Sequence, residues 1–293
     1  GRNQIVCNIF KRGFKCYKMK ILIYGLGHIG GSIALGIKKH SSTNHKLSFV
    51  DSDKKTLAMA HKKKLTNGFL PSDKRCTKEI ESSDIIFICV SPSNIPQVLK
   101  KIRNCKTKQT LIVTDVASTK KDTISNARKT FKNQVSFVGG HPIAGTEKSG
   151  FENADPNLFK NRIFVQSGLI GKKSNKSKIM KIWKELGSKT IEVTPSEHDK
   201  VFSYLSHLPH ALSFCLNKVA TKALGKNKIE MLGGSSYKDY SRISSSSENL
   251  WADIFLSNQK NLITSINSSI VFLNKLKSAL KQKSDKKVSK LIK

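Results

Sequence analysis

Two short segments of this chain hold residue types suited to chemistry. Residues 139–151 read Gly-Gly-His-Pro-Ile-Ala-Gly-Thr-Glu-Lys-Ser-Gly-Phe, and an earlier loop reads Gly25-Leu26-Gly27-His28-Ile29-Gly30. An imidazole, with an ordinary pKa of about 6.5, offers a neutral nitrogen that accepts a proton at neutral pH, which makes His141 a candidate base. A Gly-x-Gly-x-x-Gly loop lets backbone N–H groups close on a pyrophosphate. A proton acceptor beside a dinucleotide cradle suggests an oxidoreductase that takes a hydride and a proton from one substrate.

The elements around these segments fit that chemistry. Residues 20–24, Lys-Ile-Leu-Ile-Tyr, form an apolar run expected of a buried parallel strand, and Ile33, Ala34 and Ile37 then recur at helical spacing. The glycine loop therefore stands between a strand and a helix. Gly25 permits the turn, Gly27 lets the backbone approach phosphate, and Gly30 lets the helix pack close. Leu26, His28 and Ile29 complete the cofactor-facing loop. A second strand, residues 46–50, ends at Asp51, 21 residues after Gly30. An acid there accepts hydrogen bonds from ribose hydroxyls and repels a 2′-phosphate, favouring NAD over NADP, with Lys54 and Lys55 softening the preference.

Further apolar runs cover 84–90, followed by Ser91-Pro92; 109–114, followed by Asp115-Val-Ala-Ser118; and 135–138, leading into Gly139-Gly140-His141. Helices are expected near 53–64, 94–103 and 119–130. This alternation predicts an α/β doubly wound parallel sheet of the Rossmann type, with ligands beyond the carboxyl ends of its strands. Val90, Ser91, Ser118 and His141 then fall on the cofactor side. Beyond Lys176–Leu186 and a last short strand at 189–193, long apolar-periodic stretches at 196–224, 248–265 and 267–281 read as helices with wide apolar faces.

The sequence resembles the prephenate dehydrogenase family, which includes arogenate and cyclohexadienyl dehydrogenases. The matching segments are Gly25–Ser32, Asp115-Val-Ala-Ser-Thr-Lys120, Gly140-His-Pro-Ile-Ala-Gly-Thr-Glu-Lys-Ser-Gly150, Ser206-His-Leu-Pro-His210, Asp239-Tyr-Ser-Arg-Ile243 and Trp251-Ala-Asp-Ile-Phe255, spread over about residues 19–272. The resemblance implies NAD-dependent oxidative decarboxylation of prephenate to 4-hydroxyphenylpyruvate in tyrosine biosynthesis, with arogenate or both acids as the alternative substrate. It implies that His141 contacts the ring hydroxyl and accepts its proton, that Ser118 orients His141, and that Glu147 stands at the mouth of the site. Ser118 also fits an N-cap before Thr119-Lys120-Lys121. It implies that Arg242 and His210 bind substrate carboxylate. Arg242 is notable on its own, because the chain has 46 lysines and 7 arginines, and a guanidinium fork grips a carboxylate in two places where an ammonium cannot. Ser206, His207 and His210 are expected to share one helix face, and spacing leaves open which of them touches substrate. Trp251 packs near the site or serves the core. Residues 233–237, Gly-Gly-Ser-Ser-Tyr, depart from the family pattern, which has more glycine and a phenylalanine there.

The expected organisation is a disordered basic extension at 1–18, a dinucleotide-binding domain at 19–170, an all-helical substrate and dimerisation domain at 171–280, and a Lys-rich tail at 281–293. The resemblance implies a homodimer through the helices. Met19 is expected to be the natural start, and neither a chorismate mutase segment before it nor a regulatory domain after the helices is expected, so feedback control through such a domain is expected to be absent. Two-domain dehydrogenases of the β-hydroxyacid type place a lysine where Ser206, His207 and His210 stand here, which argues against that class.

The net charge of +33 admits a rival reading, a partner such as nucleic acid or an anionic membrane. Residues 1–18 carry +5 and 275–293 carry +7, so most of the charge is spread along the chain. Lysine predominates, whereas base reading leans on arginine forks. Nucleic acid is therefore not the expected partner, and the field serves to attract dianionic prephenate. No run approaches the roughly 20 apolar residues of a membrane span, and no secretory signal pattern occurs. Six cysteines without CxxC pairing read as reduced thiols of a cytoplasmic protein, and no metal site is expected.

Overall fold

The computed structural model describes residues 18–145 and 148–293. The expected disordered extension thus falls, save Lys18, outside the described residues, as do Cys7 and Cys16. Eight strands form one sheet in the order β3-β2-β1-β4-β5-β6-β7-β8. They are β1 (Lys20–Tyr24), β2 (Lys46–Val50), β3 (Gly68–Phe69), β4 (Ile85–Ile88), β5 (Ile112–Asp115), β6 (Ser136–Ile143), β7 (Ile163–Ile170) and β8 (Lys189–Glu192). All neighbours run parallel except β6 and β7. Helices α1 (His28–His40), α2 (Lys54–Lys62), α3 (Lys74–Ser82), α4 (Ile95–Arg103), α5 (Lys121–Phe131) and α6 (Lys173–Glu185) accompany it. Alternate side chains of each strand enter opposite layers. Ile21, Ile23, Phe49 and Phe87 join α1 and α6 on one side, while Leu22, Val50, Ile86 and Val113 join α3, α4 and α5 on the other.

The sheet unit extends further than the sequence boundary at 170/171. Ile179, Ile182 and Trp183 of α6 are buried, Trp183 stacks on Phe164 of β7 at 4.3 Å, and β8 pairs with β7. Burial of that amphipathic face, rather than a change in composition, decides which unit the segment joins. The strand at 163–170 carries no strict alternation and is visible only in the fold. His141 also does not follow a strand end: β6 continues through it to Ile143. Gly139 makes this possible, because a Cβ there would lie 2.0 Å from the Ser167 carbonyl oxygen. The strand pairs antiparallel with β7 from Phe137 onward and slips register between Val138 and Gly140, setting His141 opposite Val165.

The helical unit begins with α7 (Pro195–Phe202) and passes through a π turn (Ser203–His207) into α8 (Leu208–Leu224), α9 (Lys226–Leu232), α10 (Ser235–Ser244), α11 (Glu248–Ser257), α12 (Gln259–Lys281) and α13 (Asp285–Ile292). The break expected at residue 266 falls at Asn258 instead, whose side chain is drawn inward to the Asp199 carbonyl and to His207. The segment expected as a tail at 281–293 is largely α13, with Ser284 accepting from the Lys287 N–H at its start. Among the described residues no helix is long and apolar enough to cross a membrane, the four cysteines are free thiols, and no His, Cys, Asp and Glu cluster suits a metal.

Candidate active site

A cavity of about 810 Å³ opens where the carboxyl ends of β1, β4 and β5 meet the helical unit. Its wall includes Gly27, His28, Ile29, Val90, Ser91, Ser118, His141, Ser206, His210, Arg242 and Trp251. Eleven of the positions singled out in the sequence are thereby brought to one space. Glu147 lies outside the described residues. Gly25, Leu26, Gly30 and Asp51 support the wall from behind. Gly25 turns at φ +99°, and a Cβ on Gly30 would meet the Gly25 carbonyl oxygen at 1.9 Å, so helix α1 sits as close to β1 as backbone allows. The helix starts at His28, with its first N–H groups beside the cavity and open backbone at Gly27. Asp51 ties this loop down: one oxygen accepts from the Leu26 N–H at 2.7 Å, the other from the Asp53 N–H at 2.9 Å. A carboxylate has lone pairs left for a ribose after two such bonds. His28 is held by a contact of its Nδ1 with the Lys148 carbonyl at 3.2 Å.

His141 is fixed by a chain the sequence reading missed. Its Nδ1 lies 2.9 Å from Nε2 of His198, and His198 Nδ1 lies 2.8 Å from Asp199 Oδ1. Asp199 also accepts from the N–H groups of Lys120 at 2.7 Å and Lys121 at 2.9 Å, capping α5. Ser118 is therefore not that cap, and its hydroxyl is left to the cavity wall. An acceptor-only Asp199 assigns the proton of a neutral His198 to Nδ1. The His198 Nε2 lone pair then accepts from His141 Nδ1–H, and His141 presents a bare Nε2 to the cavity. Local sequence sets this register: Thr194 accepts from the Glu197 N–H at 3.2 Å, with Pro195 in the first turn of α7. His198 and Phe202, four residues apart, share a face, and Phe202 packs edge-on against His141 at 4.8 Å. Burial, reinforced by His198, Lys120 and His207, holds His141 well below the ordinary histidine range.

Beneath His141 lies a second structure the sequence reading passed over. Lys120, fully buried, donates to Asp115 and, at 2.6 Å, to the carbonyl of Gly140. Asp115 in turn accepts from the N–H groups of Ala117 at 2.9 Å and Gly140 at 3.1 Å. Desolvation lowers the Lys120 pKa, and Asp115 opposes that shift.

The expectation that Ser206, His207 and His210 share a face is corrected. Pro209 has no N–H for the ordinary ladder, and Leu208 donates five residues back to Ser203, forming a π turn. Ser206 and His210 face the cavity, whereas His207 turns inward, fully buried, with Nδ1 accepting a hydrogen bond from the Asn258 amide at 3.1 Å. Burial drives His207 down to about 4. His210 donates from Nδ1 to the Ser206 carbonyl at 2.9 Å and stacks on Trp251 at 3.5 Å. Burial, aided by Arg242, keeps His210 below its ordinary value and hence neutral. Arg242 is presented by α10, which is locked to α8 through Tyr237 Oη to Asn217 (3.2 Å) and Asn217 to Ser244 (3.0 Å). Tyr237 belongs to the stretch that departs from the family pattern, and its hydroxyl does this locking. Ser93 to Asp253 at 2.5 Å and Thr119 to Ser257 at 3.0 Å bind the two units across the cavity.

Fold and site together define a dinucleotide-binding α/β protein with a helical unit closing over the coenzyme face of the sheet. A family model described as prephenate dehydrogenase, nucleotide-binding domain, matches residues 33–192, and one described as prephenate dehydrogenase, dimerization domain, matches residues 194–293. The chain belongs to the prephenate dehydrogenase family. It is similar to a prephenate dehydrogenase of Lactococcus lactis subsp. cremoris, 34% identical over 241 residues, which are 82% of this chain and 65% of that relative. This chain thus spans just under two thirds of the length of that protein. Prephenate dehydrogenase from A. aeolicus, solved in complex with hydroxyphenyl propionate and NAD+, superposes with a TM-score of 0.86 at 26% identity over 95% of this chain and 96% of that one. Synechocystis arogenate dehydrogenase superposes with a TM-score of 0.75 at 27% identity over 94% and 96%.

Proposed function

We propose that this chain catalyses NAD-dependent oxidative decarboxylation of prephenate, with the neutral Nε2 of His141 as acceptor of the ring-hydroxyl proton. The observation that carries the reading is the His141–His198–Asp199 chain, in which an accepting Asp199 favours the tautomers that turn a bare His141 Nε2 to the cavity. The glycine loop, the open start of α1 and Asp51 at the end of β2 fit NAD, and Asp51 disfavours a 2′-phosphate. NAD, when bound, supplies the hydride acceptor. The protein orients the ring alcohol, takes its proton and holds the carboxylates, because aromatisation on loss of carbon dioxide makes the step downhill. Ser118, in the wall beside His141, donates to or accepts from the same hydroxyl.

Arg242, with His210 and Ser206 beside it, grips a substrate carboxylate. Arg242→Gln is expected to raise the substrate KM by about 10–100-fold, the equivalent of losing about 1.5–3 kcal/mol from charged hydrogen bonds, with little change in kcat. An unchanged KM would remove Arg242 from the carboxylate site.

The pKa directions set the acid limb. His141 and His198 are both held below the ordinary value, so the neutral pair survives as pH falls through about 6.5. A pH profile of kcat should stay flat through that range and fall only below it. A limb centred above the ordinary histidine value would contradict the assignment.

Prephenate and arogenate share the ring and its carboxylate and differ in a side-chain keto or amino group, so the site chemistry above serves either. The similarity to an arogenate dehydrogenase favours keeping that second substrate. The exposed apolar residues Leu205, Val219, Met231, Leu232, Leu256 and Leu273 of the helical unit support a homodimer, and cytoplasmic action is part of the reading. Reduced coenzyme is to be measured with both acids, each with NAD and NADP. Turnover with prephenate and NAD is the expected strongest signal, and silence in all four mixtures would end the proposal.

A further inference from the structure

We propose that His198 and Asp199 complete a proton relay with His141, in which the hydroxyl proton is held as a cation on His198 against the Asp199 carboxylate and then handed back to the product oxygen. The inference rests on the function proposed above and assigns new roles to two residues that do not line the cavity.

The geometry supplies the path. His198 and Asp199 are 0% and 1% exposed, so both lie away from bulk solvent. The two ring nitrogens lie 2.9 Å apart, and the second ring lies 2.8 Å from a carboxylate clamped by two backbone N–H groups. The charged and titratable groups facing the pair are Asp199 on α7, Lys120 before α5, Asp115 at the end of β5 and His207 in the π turn. Lys120 and His207 oppose positive charge on His141. Burial lowers the His198 pKa, as does Lys120, and the hydrogen bond and charge of Asp199, with Asp115, oppose that shift. The carboxylate lies against the second ring and not the first, so the proton's resting place in the relay is His198.

The step balances. As hydride passes from the ring carbinol carbon to the nicotinamide, the O–H bonding pair becomes the second C–O bond and the proton forms an Nε2–H bond on His141. The Nδ1–H bond of His141 breaks as an Nε2–H bond forms on His198. When the bond from ring to carboxylate breaks, its electron pair enters the ring and leaves charge on oxygen. The proton returns along the same path to make the phenol. The proton is borrowed, and the net reaction neither takes up nor releases one.

His198→Gln separates relay from orientation. A glutamine carbonyl can still accept from His141 Nδ1–H, but it cannot bind the proton. The variant is expected to lose kcat on the order of a hundredfold while the KM for prephenate and the Kd for NAD stay unchanged. Its acid limb should move to lower pH, because the member that charges first is gone. An unchanged kcat, an unmoved limb, or a loss carried by KM would overturn the relay. Nitrogen-15 NMR of the wild-type protein tests the same claim without substitution. Both rings should show Nδ1–H and bare Nε2, and the opposite tautomer on either would overturn it. Wild-type inactivity towards prephenate and arogenate alike would instead overturn the underlying function.

Discussion

Replacement of His141 by asparagine should lower kcat by about 10²–10⁴-fold while NAD affinity stays close to wild type. The asparagine amide can occupy the place of Nδ1 and keep donating to His198, whose Nε2 now lies 2.9 Å from the ring it would replace. What disappears is the second nitrogen, the acceptor turned to the cavity. The glycine loop, the start of α1 and Asp51 are untouched by the change, so coenzyme binding has no reason to fall. Steady-state kinetics together with a fluorescence titration of NAD separate the two quantities. Normal turnover with weakened NAD binding would refute the role given to His141.

Lys120→Met should cost about 3–5 kcal/mol of stability, read as a lowered midpoint of chemical denaturation. The substitution leaves the Asp115 carboxylate in a fully buried place without its cation and strips the Gly140 carbonyl of its donor. Buried ion pairs can often be replaced whole by apolar residues at little cost. Here the double change Lys120→Met with Asp115→Leu should remain destabilised, because Asp115 also satisfies the N–H groups of Ala117 and Gly140. An unchanged midpoint in the single variant would mean that the pair contributes nothing. A recovered midpoint in the double variant would mean that those two amides find other partners.

Much of the candidate site's cavity wall was legible because its parts are local. A glycine loop between an apolar strand and a helix, an acid at the end of the next strand, and an arginine in a chain of lysines each announce themselves by type and spacing. The contact chain from His141 through His198 to Asp199 was not legible in the same way. His198 and Asp199 lie 57 residues and more from His141 in the chain, and only the packing of α7 on α5 brings them together. The signal available was an adjacent His and Asp just inside a Thr-Pro-x-Glu helix start, in a chain with 20 acidic residues against 53 basic ones. Asp115 and Lys120 stand in one six-residue segment, yet spacing cannot show that an acid and a lysine five residues apart close a buried pair behind a strand. The shared face of Ser206, His207 and His210 misled because helical spacing assumes i→i−4 bonds throughout, and Pro209 shifts the register by one residue. The boundary near residue 170 misled because composition marks a linker, while Trp183 and β8 bind the segment to the sheet.

In the proposed reaction, hydride leaves a ring alcohol while His141 takes its proton. Prephenate carrying deuterium on the ring carbinol carbon, turned over with NAD by the wild-type protein, tests it directly through the mass of the reduced coenzyme. Deuterium should appear in the coenzyme, with carbon dioxide released in equal amount. Reduced coenzyme without the label, or no reduction at all, would contradict it.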